Sequence, residues 1–290
     1  MRIVTLAFAA ALMASPACAE NEPAENSDPF AVPAISYAEA VADTENWREA
    51  DPENIFVFET TKGQVIVEAS PAVAPNHVDQ FRKIIRSGKY KGTSFHRVLK
   101  DFMAQGGDIT GGSGLPNLNG EFTFQRKPSE MMFDMVGGNA AGTEGYFMGF
   151  PMQTQSAFLA EMNTSGTVES WMPHCPGVVS TARTDDPNSA NSQFFWMRGR
   201  AEHLDKSYTA WGRVISGYTN VKSIKSGSSA NNGSVTQPDI LISAQVAADM
   251  GAAAPKVLVM QTGGPTFTNM IAGADVDDVC DLPSVPVVVE

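Results

Sequence analysis

Regular patterning of apolar and polar positions begins near Asn54. IFVFETTKGQVIVEA (55–69) predicts two strands, because β-branched and aromatic residues flank a short Lys-Gly break. In PNHVDQFRKIIRSGKY (75–90), Val78, Phe81, Ile84 and Ile85 recur at helical spacing, with Pro75 suited to the first turn and Gly88 to the stop. That stretch predicts a helix. TSFHRVL and DFMAQGGD (93–108) follow as strand, tight break, strand. Residues 110–127 form a Gly- and Asn-rich loop with a short strand at Glu121 to Phe124. Residues 128–176 carry seven of the fourteen methionines, many glycines and no sustained period, and predict loops with a short hairpin. Strand-like runs return at GVVSTAR (177–183), SQFFWMRG (192–199) and SYTAWGRVIS (207–216). GYTNVKSIKSG (217–227) predicts a short second helix and PDILISAQVA (238–247) a closing strand. Many short strands with turn signals and two helices favour a closed or nearly closed antiparallel barrel.

The chain ends read differently. MRIVTLAFAAALMASPACA (1–19) has one basic residue, an apolar run from Ile3 to Met13 and a small-x-small end at Ala17 and Ala19. This is the pattern of a secretory signal, and the run is too short to span a bilayer. The expectation is export, most simply to a periplasm. Lipid anchoring at Cys18 is the competing reading, with Ser15 and Pro16 fitting it poorly. Residues 20–53 predict an acidic, largely flexible leader, with SYAEAVADTENWREA (36–50) able to form a short helix anchored by Tyr37, Val41 and Trp47. At the other end, 248–290 is an Ala-, Gly- and Pro-rich extension with isolated VLVM and PVVV runs. The division is therefore 1–19, 20–53, a main domain at 54–247 with an insertion at about 128–176, and 248–290. No other segment approaches membrane-spanning length.

Charge and chemistry narrow the function. The formal net charge is −12, and 20–53 alone holds ten acids against one base, so the body is nearly balanced. No basic patch or stripe marks a nucleic-acid partner. After cleavage two cysteines remain, Cys175 and Cys280, which permit one intramolecular bridge in an oxidising compartment; two free thiols are the alternative. His77, His96, His174 and His203 form no HxxxH or HExxH pair, no serine sits in a GxSxG elbow, and GGSG (111–114) precedes neither a helix nor a Lys-Ser/Thr. Hydrolase, metalloenzyme and nucleotide-binding readings lose their usual signatures. Arg97, rather than His96, becomes the ionisable group of interest. WMPHC (171–175) offers soft ligands for copper, but a bridge at Cys175 and the flanking prolines explain it more simply, so no metal is expected.

FHRVLKDFMAQGGD (95–108), with SQFFW (192–196) and HLDKSYTAWGRV (203–214) following in order, resembles the cyclophilin-type peptidyl-prolyl cis-trans isomerases. The resemblance runs from about Asn54 to Val246 and implies an eight-stranded antiparallel barrel, closed and capped by two helices. It implies Arg97 as the catalytic donor and Phe102, Met103, Phe195 and Leu204 as an apolar slot for proline. Gln105 would hold the substrate backbone and Gln193 would border the pocket. Thr181, Ala182 and Arg183 fall where the family's substrate-backbone strand runs. His203 stands where many members have the tryptophan that grips cyclosporin, and Tyr208 where many have histidine. His96 has no role in such chemistry and reads as structural. The resemblance implies no cofactor, and its partners would be proline-containing segments of exported proteins. A second reading keeps the fold without the catalysis: a binding protein or chaperone whose insertion recruits partners.

Overall fold

The computed structural model describes residues 35–139, 142–272 and 278–290. The signal-like segment with Cys18 and the first part of the leader lie outside the described residues. The leader expected to be largely flexible is folded from Tyr37 onward. A reciprocal pair of bonds between Ser36 and Glu39 starts α1 (Tyr37–Ala42), and β1 (Trp47–Glu49) follows, with Trp47 and Ala50 buried. An apolar anchor this large stays solvent-free only against a partner, and the partner comes from the other end of the chain.

The continuous apolar runs of β2 (Ile55–Thr60) and β3 (Gly63–Ala69) form a hairpin. Next comes α2 (Pro75–Arg86), whose Val78, Phe81, Ile84 and Ile85 are buried, each contributing about 1.5–3 kcal/mol. β4 (Arg97–Leu99) and β5 (Met103–Gly106) make a second hairpin. β6 (Phe124–Arg126) precedes the insertion, which contributes β7 (Asp134–Asn139), β8 (Gly142–Phe147), β9 (Phe150–Thr154), the exposed α3 (Phe158–Met162) and β10 (Val168–Trp171). β11 (Val178–Thr181), β12 (Phe194–Met197), β13 (Ala210–Ser216), α4 (Tyr218–Ser223) and β14 (Leu241–Val246) complete the main domain. The extension supplies β15 (Val257–Met260), α5 (Pro265–Ile271) and β16 (Val287–Val289).

The main sheet has eight antiparallel strands in the order β14-β2-β3-β13-β11-β12-β5-β4. It curls around a core in which Phe58, Phe81, Phe194, Trp196 and Trp211 pack, with the Phe81 and Trp211 rings stacked at 4.5 Å. The expected closure does not occur. β4 is three residues long, and its outer edge bonds to an irregular loop: Val98 N donates to Gly233 O, and Gly227 N donates to Val98 O. Among the described residues the chain before β4 meets the start of β14 through one isolated bridge, Ser94 to Ile240, and a few main-chain bonds such as Leu241 N donating to Thr93 O, rather than through a ladder between β4 and β14. The fold is mainly β and half-barrel in form.

The insertion is likewise more ordered than its pattern suggests. Instead of loops with one hairpin it forms four strands, which with β6 make a five-stranded sheet, β6-β10-β9-β8-β7. Its strands escape a periodic reading because glycines sit where backbones approach closely: a Cβ on Gly145 would lie 2.4 Å from Asp134 O. A third sheet, β1-β15-β16, joins leader to extension, with Trp47 opposite Met260. Both added sheets share a second core with the outer face of the half-barrel, including Val57, Ile66 and Ile215. This explains why β2 and β3 read as unbroken apolar runs, since both faces are covered. Arg48 of β1 pairs with buried Glu68 of β3, which also pairs with Arg213 of β13. A disulfide joins Cys175, at the end of the insertion, to Cys280, with Cα atoms 4.9 Å apart.

Candidate active site

Strand register assembles the site. In β4, β5 and β12, Arg97 lies opposite Gln105, and Gln105 opposite Phe195. Directly opposed residues in antiparallel strands point to the same face, so these three project together, away from the inner core. Met103, two residues before Gln105, shares that face. The alternating residues Ala104, Phe194 and Trp196 fill the inner core instead. The tight exit after β5 rests on Gly107, whose φ is +78° and whose added Cβ would lie 2.8 Å from Ser192 O.

A groove of about 330 Å³ results, lined by Arg97, Phe102, Met103, Gln105, Ala182, Arg183, Phe195, His203, Leu204 and Tyr208. A second hollow of about 170 Å³ adjoins it, sharing Gln105, Ala182 and Arg183 and adding Gln193. Eleven of the twelve residues named from sequence for the active site thus line these two connected hollows. Thr181 does not. It lies opposite Phe194 in the β11–β12 ladder and therefore faces inward, fully buried.

Arg97 is held on one side and open on the other. Its Nε donates to Asn232 O at 3.1 Å and Nη2 to Asn232 Oδ1 at 2.9 Å. Nη1 donates to Gln105 Oε1 at 3.3 Å, and Gln105 Nε2 donates to Gln193 Oε1 at 2.9 Å. The guanidinium carries more N–H donors than these bonds use, and the Phe102 ring centroid lies 6.0 Å from its Cζ. Asn232 was not legible in the sequence. The Asn-Asn-Gly run at 231–233 signals a turn, but nothing in it points to Arg97.

The opposite wall comes from the turn at Glu202–Leu204 and the chain after it. The exposed His203 ring lies 5.6 Å from Phe102, and Tyr208 meets Phe195 edge-on at 6.0 Å. Arg183 stacks 4.4 Å over Tyr208, with Nε donating to Ser207 O at 3.0 Å. His96 contributes a main-chain carbonyl that accepts from Val235 N, and its ring does not line the groove.

Beneath the slot lies a cluster that sequence inspection also missed. His174 packs against Phe195, ring centroids 6.1 Å apart; its Nδ1 is 2.9 Å from Asp205 Oδ1 and its Nε2 3.0 Å from Ser180 Oγ. Burial lowers the His174 pKa, while the hydrogen bond and charge of Asp205 oppose the shift. Serine, histidine and aspartate in this order suggest a nucleophilic triad. Ser180 is 0% exposed, however, and its hydroxyl also donates to Thr209 O, so no substrate carbonyl can reach it.

Residues 55–246 match the family described as "Cyclophilin type peptidyl-prolyl cis-trans isomerase/CLD". The chain belongs to the cyclophilin-type peptidyl-prolyl cis-trans isomerases. It is similar to a probable peptidyl-prolyl cis-trans isomerase of Brucella abortus (strain 2308), 38% identical over 215 residues that cover 69% of this chain and 86% of that protein. A Streptomyces antibioticus peptidyl-prolyl cis-trans isomerase, cyp18, is 29% identical over 64% of this chain and 95% of its own length. The crystal structure of cyclophilin AquaCyp293 from Hirschia baltica superimposes with a TM-score of 0.82 at 43% identity, covering 88% of this chain and 97% of that one. That coverage exceeds the span matched to the cyclophilin family, so the likeness includes part of the added layers. The enzyme class is thus a peptidyl-prolyl isomerase. Among the described residues no helix is long and apolar enough to cross a membrane.

Proposed function

We propose that this isomerase accelerates rotation about X-Pro bonds in exported proteins, with Arg97 as its catalytic residue. Amide resonance sets a barrier of about 18–20 kcal/mol to that rotation. No bond breaks, so neither a nucleophile nor a strong base is needed. In the twisted state the prolyl nitrogen loses conjugation and becomes a hydrogen-bond acceptor. A donor aimed at that nitrogen favours the twisted state over either planar one, which is the selective binding that catalysis requires. Phe102, Met103, Phe195 and Leu204 form the apolar seat for the proline ring. Gln105 and the main chain of Ala182 hold the peptide on either side. Thr181, which faces the inner core, has no part in this.

The observation that carries the reading is Arg97 itself: a permanently charged fork, anchored by Asn232 and Gln105, with donors left over beside an apolar slot. Export is supported by the leading apolar segment with its small-x-small end and by the Cys175–Cys280 disulfide, a bond that persists in oxidising compartments.

The test is cis-trans exchange of a proline peptide by the purified protein. Arg97→Ala should lower kcat/KM about 100-fold, the usual effect of deleting one preorganised donor. An unchanged rate in Arg97→Ala would overturn the assignment of Arg97. If the unmodified protein binds the peptide without speeding exchange, the binding-protein reading replaces the catalytic one.

A further inference from the structure

His203, Leu204 and Tyr208 form one wall of the groove, yet no strand ladder carries them. The wall is a short turn followed by a loop, with its main-chain bonds mostly internal: Leu204 N donates to Ala201 O and Tyr208 N to Leu204 O. Its fixed points lie elsewhere. Asp205 Oδ1 accepts from His174 N at 2.8 Å and meets His174 Nδ1 at 2.9 Å, while Ala201 N donates to His174 O at 3.1 Å. Asp205 Oδ2 is ion-paired with Arg200 Nη1 at 2.8 Å. Arg200 in turn donates from Nε to Asp278 Oδ2 at 2.7 Å. Asp278 Oδ1 accepts from Cys280 N at 2.9 Å, and Cys280 is bonded to Cys175, the neighbour of His174.

These contacts form a ring that starts and ends at His174, and two of its members, Asp278 and Cys280, come from outside the cyclophilin-matched span. We propose that Asp278, brought across by the Cys175–Cys280 disulfide, is a positioning residue of this isomerase, holding the 203–208 wall through Arg200 and Asp205. The proposal rests on the reading of the groove as the substrate site. A guanidinium fixed at two corners keeps one orientation. Deprived of Asp278, Arg200 keeps a single partner at a position open enough for water to compete, and Asp205, nearly buried, loses its fixed countercharge. Asp205 is then held by His174 with no second fixed pairing behind it. The extension therefore does more than add a layer: it supplies the outermost link holding a binding surface.

The wall seats the proline but carries no donor for the prolyl nitrogen. Loosening it weakens planar and twisted states alike, which raises KM with little change in kcat. Three perturbations should converge. Asp278→Asn should raise KM three- to tenfold with kcat within twofold, and Asp278→Glu should restore most of the loss. Cys280→Ser should reproduce the rise. Incubating the unmodified protein with a dithiol reductant should do the same: the dithiol gives two electrons and two protons, leaving Cys175 and Cys280 as thiols and itself as a disulfide. Cys280→Ser should not respond further to the reductant. Titration of a labelled proline peptide reads the wall without catalysis, so the proposal stays testable even if Arg97→Ala shows the catalytic reading to be wrong. Asp278→Asn leaves the disulfide in place, which guards against global unfolding as the cause. Unchanged KM and unchanged peptide affinity in Asp278→Asn would overturn the proposal.

Discussion

Asn232 offers the sharpest test of how Arg97, the proposed catalytic residue, is held. It sits at φ +51°, a left-handed conformation that asparagine tolerates better than most residues. Its side-chain oxygen takes the Nη2 bond at 2.9 Å, whereas its carbonyl oxygen takes the Nε bond in any variant. A hydrogen bond to a charged group contributes about 1.5–3 kcal/mol. Asn232 is exposed, so solvent screening reduces this to roughly 1 kcal/mol, or about fivefold in kcat/KM. Two substitutions separate this effect from backbone strain. Asn232→Ala removes the acceptor and adds about 1 kcal/mol of left-handed strain. Asn232→Gly removes the acceptor but not the conformational freedom. Both should lose about fivefold in kcat/KM with a proline peptide, while only Asn232→Ala should lower the melting temperature. Asn232→Asp, which keeps an acceptor, should stay near the unmodified rate. Unmodified kcat/KM in Asn232→Gly would refute the argument that this side chain orients Arg97.

Two further outcomes follow from the groove and from the cluster beneath it. With His203 rather than tryptophan beside Phe102, cyclosporin should inhibit weakly, and His203→Trp should strengthen inhibition; tight inhibition of the unmodified protein in a titration would sink this. His174 is held below its ordinary pKa of 6.5, mainly by burial. The unfolded chain therefore takes up a proton near pH 6.5 that the folded chain resists, so the stability this group contributes is present above pH 6.5 and falls as pH drops below it. The melting temperature should decline between pH 7.5 and 5.5, and His174→Asn should flatten that decline; an identical slope in the variant would assign it to other groups.

Much of the site was legible because its residues are tied to short-range patterns. FHRV and FMAQGGD carry Arg97, Met103 and Gln105 on adjacent strands of one hairpin with Phe102 in its turn, and SQFF delivers Phe195 to the strand beside it with Gln193 just before it. Thr181 was misplaced for a reason that strand geometry makes plain. Ser180 lies opposite Phe195 and Thr181 opposite Phe194, so neighbouring residues face opposite sides, and a block matched by resemblance alone cannot say which side is the groove. The helix α2 was legible because its apolar residues repeat with the turn. The four strands of the insertion were not, because close backbone approach at glycines such as Gly145 replaces side-chain periodicity.

By itself, then, the sequence determined the strands and helices of the half-barrel, and its resemblance to the cyclophilins implied the chemistry class and nearly all the residues that line the groove. The elements follow from local alternation and helical spacing, which are properties of neighbours along the chain, and the site residues follow from motifs matched to a family. Only the tertiary structure decided that the sheet stays open at β4, that Asn232 anchors Arg97, and that leader, insertion and extension pack as layers on the outer face. It also decided that His174, Asp205, Arg200 and Asp278 meet behind the slot. Each of these joins residues far apart in sequence through a bond or a buried face, and such pairings leave no periodic trace in a single chain.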